Sequence, residues 1–160
     1  MNKKELKKGF GIILKFLILS PIIYLILKPL EGILKRYIAF NSYIVIKIFE
    51  ECSLKDNIIY LPNLSIEVIE GCTGITSISI YLAVVFITGK NVKEYFIGTL
   101  FGVIFIYFGN VIRIALIGIL SNKYGNPILF HDLVSYIDVP VISVIATLIW
   151  FDIQNKMKNK

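Results

Sequence analysis

The sequence predicts an all-α polytopic membrane protein, and three observations carry that prediction. Of the 160 residues, 56% are hydrophobic and only 18% are charged. The mean hydropathy is +0.76. The charges gather at the termini and in short connecting segments. Soluble domains run nearer to about 45–50% apolar with about 25% charged. A helix crosses the roughly 30 Å hydrocarbon core with about 20 mostly apolar residues, and the chain holds three or four such stretches and little else. A single membrane domain over 1–160 follows, with about four transmembrane helices and a short extracytoplasmic hairpin or extended segment.

The first span is 11–27, GIILKFLILSPIIYLIL, whose Lys15 reaches back to the headgroups on its flexible stem. With Lys3, Lys4, Lys7 and Lys8 before it, the stretch resembles a signal peptide. No small-x-small cleavage site follows and Pro21 lies within it, so it reads as a retained anchor. The stretch 36–49, RYIAFNSYIVIKIF, is short for a crossing and is either an interfacial helix or a tilted span joined to 30–34. In 50–71, two bursts of β-formers, IIYL and LSIEVI, flank Pro62-Asn63, which predicts a small hairpin or extended pair before Cys72. An open strand edge there suits an extended peptide.

The second span, 73–88, crowds Thr73, Thr76, Ser77 and Ser79 into its first half, which suits bonds to neighbouring helices rather than lipid alone. The third, 95–120, is long for one crossing and so is tilted or broken near Gly109-Asn110. The fourth is 133–151, with Asp138 and Pro140 inside it. Lysines precede the first span, occupy the loop at Lys90 and Lys93, and fill the tail at Lys156, Lys158 and Lys160. Placing all three clusters in the cytoplasm gives four crossings, both termini inside, and 28–71 outside. Lys28, Lys35 and Arg36 then lie outside, against that trend.

The net charge of +6 does not signal a nucleic-acid partner, because the lysines bracket apolar segments instead of lining a face with aromatic platforms. One histidine and two distant cysteines make a poor metal site, no glycine loop cradles phosphate, and no cofactor is expected. Cys52 and Cys72 are compatible with a disulfide only if both are extracytoplasmic, and two cysteines are weak grounds for a scaffold.

On this map Cys72, Arg113 and His131 fall at one level, near the outer membrane edge. An arginine in an apolar helix is costly and faces protein, water or a partner, or snorkels to lipid phosphates. Asn110 stands one turn before it on the same face. Cys72 is compatible with a small buried hydrophobe. Its neighbours Gly71, Thr73 and Gly74, however, permit a tight backbone and close substrate approach. A helix N-terminus there would stabilise negative charge on sulfur or on an oxyanion. His131, the one histidine in the chain, has Asp132 and Asp138 as candidates to orient it. A Cys–His pair performs acyl transfer, and an arginine beside it can hold the developing oxyanion.

The segments EGCTGITSISIYLA around Cys72, GNVIRIALIGIL around Arg113 and FHDLVSY around His131 resemble the exosortase and archaeosortase membrane transpeptidases. Cys72 and Arg113 stand 41 residues apart, which also resembles the family's spacing. The likeness covers roughly 62–150, the chain is short for the family, and the wording CTGITS is nearer its archaeal branch. The resemblance implies Cys72 as nucleophile, Arg113 as the cation that orients substrate or steadies the transition state, and His131 as acid and base. It implies, as partners, secreted or surface proteins whose C-terminal sorting signal comprises a motif, a transmembrane helix and a basic tail. These would be cleaved through a thioester and passed to a membrane lipid or other surface acceptor. The rival reading is a non-enzymatic membrane assembly or chaperone subunit, which would tolerate substitution of Cys72 and Arg113.

Overall fold

The computed structural model describes residues 3–158, and within them every side chain except those of 3–5, 8, 138 and 139. Five long helices dominate. α1 is Lys3–Leu27, α2 Glu31–Lys47, α3 Ile75–Thr88, α4 Val92–Tyr124 and α5 Pro127–Lys158. Three short strands stand between α2 and α3: β1 Ser53–Lys55, β2 Ile58–Tyr60 and β3 Ser65–Glu67. The chain is an all-helical polytopic membrane protein. Among the described residues, three helical runs are long and apolar enough to cross a bilayer, and α3 is a shorter apolar helix.

α1 passes into α2 through one 3-10 turn, Lys28–Leu30, with Pro29 near its start. Proline fits there because the first residues of a helical turn need no N–H partner. The two helices make one run, Gly9–Lys47. α1 lies against α3 while α2 lies against α4. The outer face of α1 carries bare apolar side chains such as Phe10, Leu17 and Ile26, as a lipid-facing helix does.

The four helices α1, α3, α4 and α5 meet around a core of Ile23, Tyr81, Val85, Ile106, Ala146 and Trp150. Small residues set the spacing between them. A Cβ on Gly102 would stand 1.8 Å from the Tyr81 ring, and one on Gly98 would stand 2.8 Å from Trp150 and from Val85. Close backbone approach of this kind is how membrane helices gain packing energy, since lipid supplies no hydrophobic drive between them. At the α3–α4 loop the polar groups are tied. Trp150 Nε1 donates to Thr88 Oγ1 at 2.9 Å, and Gln154 Nε2 donates to Thr88 O at 2.7 Å and to Glu94 Oε2 at 2.8 Å. Asn91 caps α4 by accepting from Glu94 N at 2.9 Å, and Glu94 accepts in turn from Lys90 N at 3.1 Å.

At the opposite end, α4 continues beyond the bundle. Its 33 residues span about 50 Å at 1.5 Å each, against a hydrocarbon core of about 30 Å. The surplus carries α2 and an antiparallel sheet ordered β1-β2-β3. Ile59 pairs with Leu54 and with Ile66. Ile46, Ile59, Leu61 and Ala115 make the core beneath the sheet. Asn122 ties the β2–β3 turn to α4, accepting from Asn63 N at 3.1 Å and donating to Glu50 Oε2 at 3.0 Å.

Several sequence expectations shift. The hairpin around Pro62-Asn63 is present as β2 and β3, and β1 adds a strand that the polar run before Asn57 did not suggest. α4 is unbroken through Gly109-Asn110. α3 begins at Ile75, two residues after the expected start, because Gly74 takes a left-handed φ of +76° at its N-cap. α5 begins at Pro127, so His131 lies inside the helix instead of before it. Segment 36–49 belongs mostly to α2, which runs on from α1.

Candidate active site

Cys72, Arg113 and His131 line one cavity of about 130 Å³, together with the chain of Ile66–Ile69 that leads out of β3. Three separate elements deliver them. Cys72 closes a 3-10 turn, Glu70–Cys72, ahead of α3. Its N–H bonds to Ile69 O at 3.0 Å, and the next residue, Thr73, donates both N–H (3.1 Å) and Oγ1 (2.8 Å) to Glu70 O. The nucleophile candidate thus sits on a tied turn, and not in the first turn of the helix. Gly74 is required where it stands. Its φ is left-handed and an added Cβ would touch Asn110 at 3.4 Å. Gly71, by contrast, has open space where a Cβ would go.

Asn110 joins the turn to the arginine. Its Nδ2 donates to the carbonyl of Cys72 at 2.5 Å, and its Oδ1 accepts from Arg113 Nη1 at 3.2 Å. Ser135 Oγ on α5 accepts from Arg113 Nη2 at 3.1 Å. Arg113 is only 8% exposed, so its charge is turned into the protein and not out to headgroups. Its Nε is buried with no acceptor among the described residues. A buried, unsatisfied donor on a charged group is costly, by about 1–3 kcal/mol or more. The arginine as a residue lines the cavity wall.

His131 is half exposed, and its Nδ1 lies 3.2 Å from Asp132 Oδ1. Adjacent residues on a helix do not normally face one another, yet here the short aspartate reaches the ring. The other candidate, Asp138, lies outside the described side chains. Both cysteines are free. Cys52 packs under the sheet with its Sγ 3.9 Å from Tyr43 O, and burial pushes its thiol pKa up. That disfavours the thiolate, and leaves Cys72 as the thiol facing a cavity.

Ser135 was not among the residues singled out from sequence. The signal was its position four residues after His131 in the FHDLVSY segment, one turn on along the same face of α5.

Residues 7–151 match the transmembrane exosortase family. Probable archaeosortase E of Methanocaldococcus jannaschii is 36% identical over 150 residues, covering 92% of this chain and 78% of that protein. No solved structure matches the chain. With nearly its whole length matched, the chain belongs to the transmembrane exosortase family.

Proposed function

We propose that this protein is a membrane cysteine transpeptidase that cleaves a C-terminal sorting signal from exported proteins and passes them to a lipid or other surface acceptor. The observation that carries the reading is the shared cavity, lined by a free thiol, an imidazole and a buried arginine. Family membership supports the reaction class.

The chemistry follows from the residues present. His131 takes the Cys72 thiol proton, through Nε2 if Asp132 accepts from Nδ1–H. The thiolate attacks the scissile carbonyl, and the oxyanion that forms is met by the Arg113 guanidinium. The C–N bond breaks, the imidazolium gives its proton to the departing amine, and a thioester remains on Cys72. A hydroxyl or amine of the acceptor then attacks the thioester, His131 removes its proton, and the thiolate leaves. No cofactor enters these steps.

The spans 11–27, 73–88, 95–120 and 133–151 cross the membrane in this reading, with 50–71 and the cavity outside and both termini in the cytoplasm. Support comes from the distribution of lysines between the two ends of the bundle. The Thr88–Glu94–Gln154 ties bring the Lys90–Lys93 loop and the lysine-rich end of α5 together. Lys15 shares a groove with Phe86 and Ile87, toward that same end. The cavity lies at the other end, by Asn110 and Ser135.

The test is complementation of a deletion strain of the source cell, scored by mass for surface proteins that lose their C-terminal helix. Wild type restores processing, while Cys72→Ala and His131→Ala do not. Arg113→Lys loses roughly 10²–10³-fold, since a point charge does not replace a planar fork. Full processing by Cys72→Ala would sink the proposal and favour an assembly subunit.

A further inference from the structure

The outer strand of the small sheet borders the cavity, and its register determines what it presents there. β3 pairs with β2 through Ile66↔Ile59, flanked by Ser65↔Tyr60 and Glu67↔Ile58. Beyond the strands, Val68 N bonds to Asn57 O at 2.9 Å and Leu61 N to Leu64 O at 2.8 Å. In an antiparallel ladder the hydrogen-bonded pairs alternate with unbonded ones. The bonded pairs are therefore 57/68, 59/66 and 61/64. The N–H and C=O of Ser65 and Glu67 consequently point away from β2, out of the free edge.

No partner occupies those four backbone groups among the described residues. The far side of the sheet is different, since α2 lies against β1 and β2. The open edge also leads straight to the chemistry. Glu67, Val68 and Ile69 line the same cavity as Cys72, and Ile69 is extended and 55% exposed. Native sheets usually cover or block such an edge. One left open beside a nucleophile fits an occupant that brings its own strand.

We infer that the substrate segment next to the scissile bond binds as a fourth strand, pairing its main chain with Ser65 and Glu67 and so laying its carbonyl across Cys72. Main-chain bonds hold the segment whatever its sequence, and alternate side chains face the cavity or the solvent. This inference rests on Cys72 being the reacting thiol. The occupant is an extended peptide and not a lipid, because a lipid chain offers nothing to a row of amide donors and acceptors.

The test uses disulfide tethering, which needs no knowledge of the natural signal. The Cys52→Ser protein in detergent is treated with an acetylated Ala/Val peptide ending in an activated cysteine disulfide, or with methyl methanethiosulfonate. Tethering the peptide to Cys72 should slow amide exchange at Ser65 and Glu67 by about tenfold, while the methylthio cap leaves both fast. Glu67→Pro removes an edge N–H without removing a β2–β3 bond. It should cut peptide tethering about fivefold, the worth of one hydrogen bond, and leave methylthiolation unchanged. Glu67→Ala keeps the N–H and should tether normally.

Peptide tethering with unchanged exchange at Ser65 and Glu67 would overturn the added strand and leave Cys72 as nucleophile. A deficit in Glu67→Ala equal to that in Glu67→Pro would move recognition to the carboxylate and also overturn it. Failure of both reagents to modify Cys72 would reject the reactive thiol, and the docking with it.

Discussion

Arg113 shows how much a single residue can be asked to carry in an apolar helix. Two of its nitrogens are committed, Nη1 to Asn110 and Nη2 to Ser135, which fixes the guanidinium plane beside the cavity. Asn110 also holds the Cys72 carbonyl, so the proposed nucleophile and the arginine are positioned by one amide. In the proposed mechanism Ser135 is a positioning residue. Ser135→Ala should lower kcat roughly tenfold with KM nearly unchanged, and Ser135→Thr should restore most of the loss. A change confined to KM would place Ser135 in substrate binding instead. The arginine and its asparagine were legible in the sequence because charge and amide in an apolar helix need a reason, and the cysteine through its small neighbours Gly71, Thr73 and Gly74. Ser135 was harder to see: its place one turn after His131 was the one local sign, and its link to Arg113 spans 22 residues and two helices.

At the scale of elements, the helices are held apart or together by where glycine occurs. Tyr81 is fully buried over Gly102, and its hydroxyl donates to Gly98 O at 3.0 Å. Gly102→Ala puts a methyl group inside the ring's space and should cost roughly 1–3 kcal/mol through overpacking. Thermal unfolding in detergent should show it as a lowered midpoint, and an unchanged midpoint would contradict the packing described. Apolar runs revealed the helices, but their ends needed finer signals. Asn126 followed by Pro127 is a start signal that a count of apolar residues passes over: Asn126 Oδ1 accepts from Leu129 N at 3.2 Å, and proline suits the first helical position. β1 was hidden for a different reason. Two of its three residues, Ser53 and Lys55, are polar, and the strand gains its structure from pairing with β2, a tertiary effect.

Across the whole molecule, one end is a helical bundle closed by Thr88, Glu94, Trp150 and Gln154, and the other carries the sheet, α2 and the cavity. In the proposed topology, lysine placement puts the first end in the cytoplasm. In a Cys52→Ser/Cys72→Ala background, a membrane-impermeant maleimide applied to intact cells should label Asp56→Cys and spare Lys156→Cys. The reverse pattern would invert the topology and place the cavity in the cytoplasm. The clustering of lysines was legible in the sequence, but the continuation of α1 into α2 was not. A run of 39 residues, Gly9–Lys47, exceeds any bilayer, and only packing against α4 shows where it leaves the bundle. The most direct test of the account is a search for an acyl-enzyme. The wild-type protein and Cys72→Ala are incubated with membranes from the source cell and read by intact mass after quenching in acid. The account predicts a hydroxylamine-sensitive adduct on the wild-type chain alone, mapped to Cys72. An adduct of equal yield on both chains would contradict it.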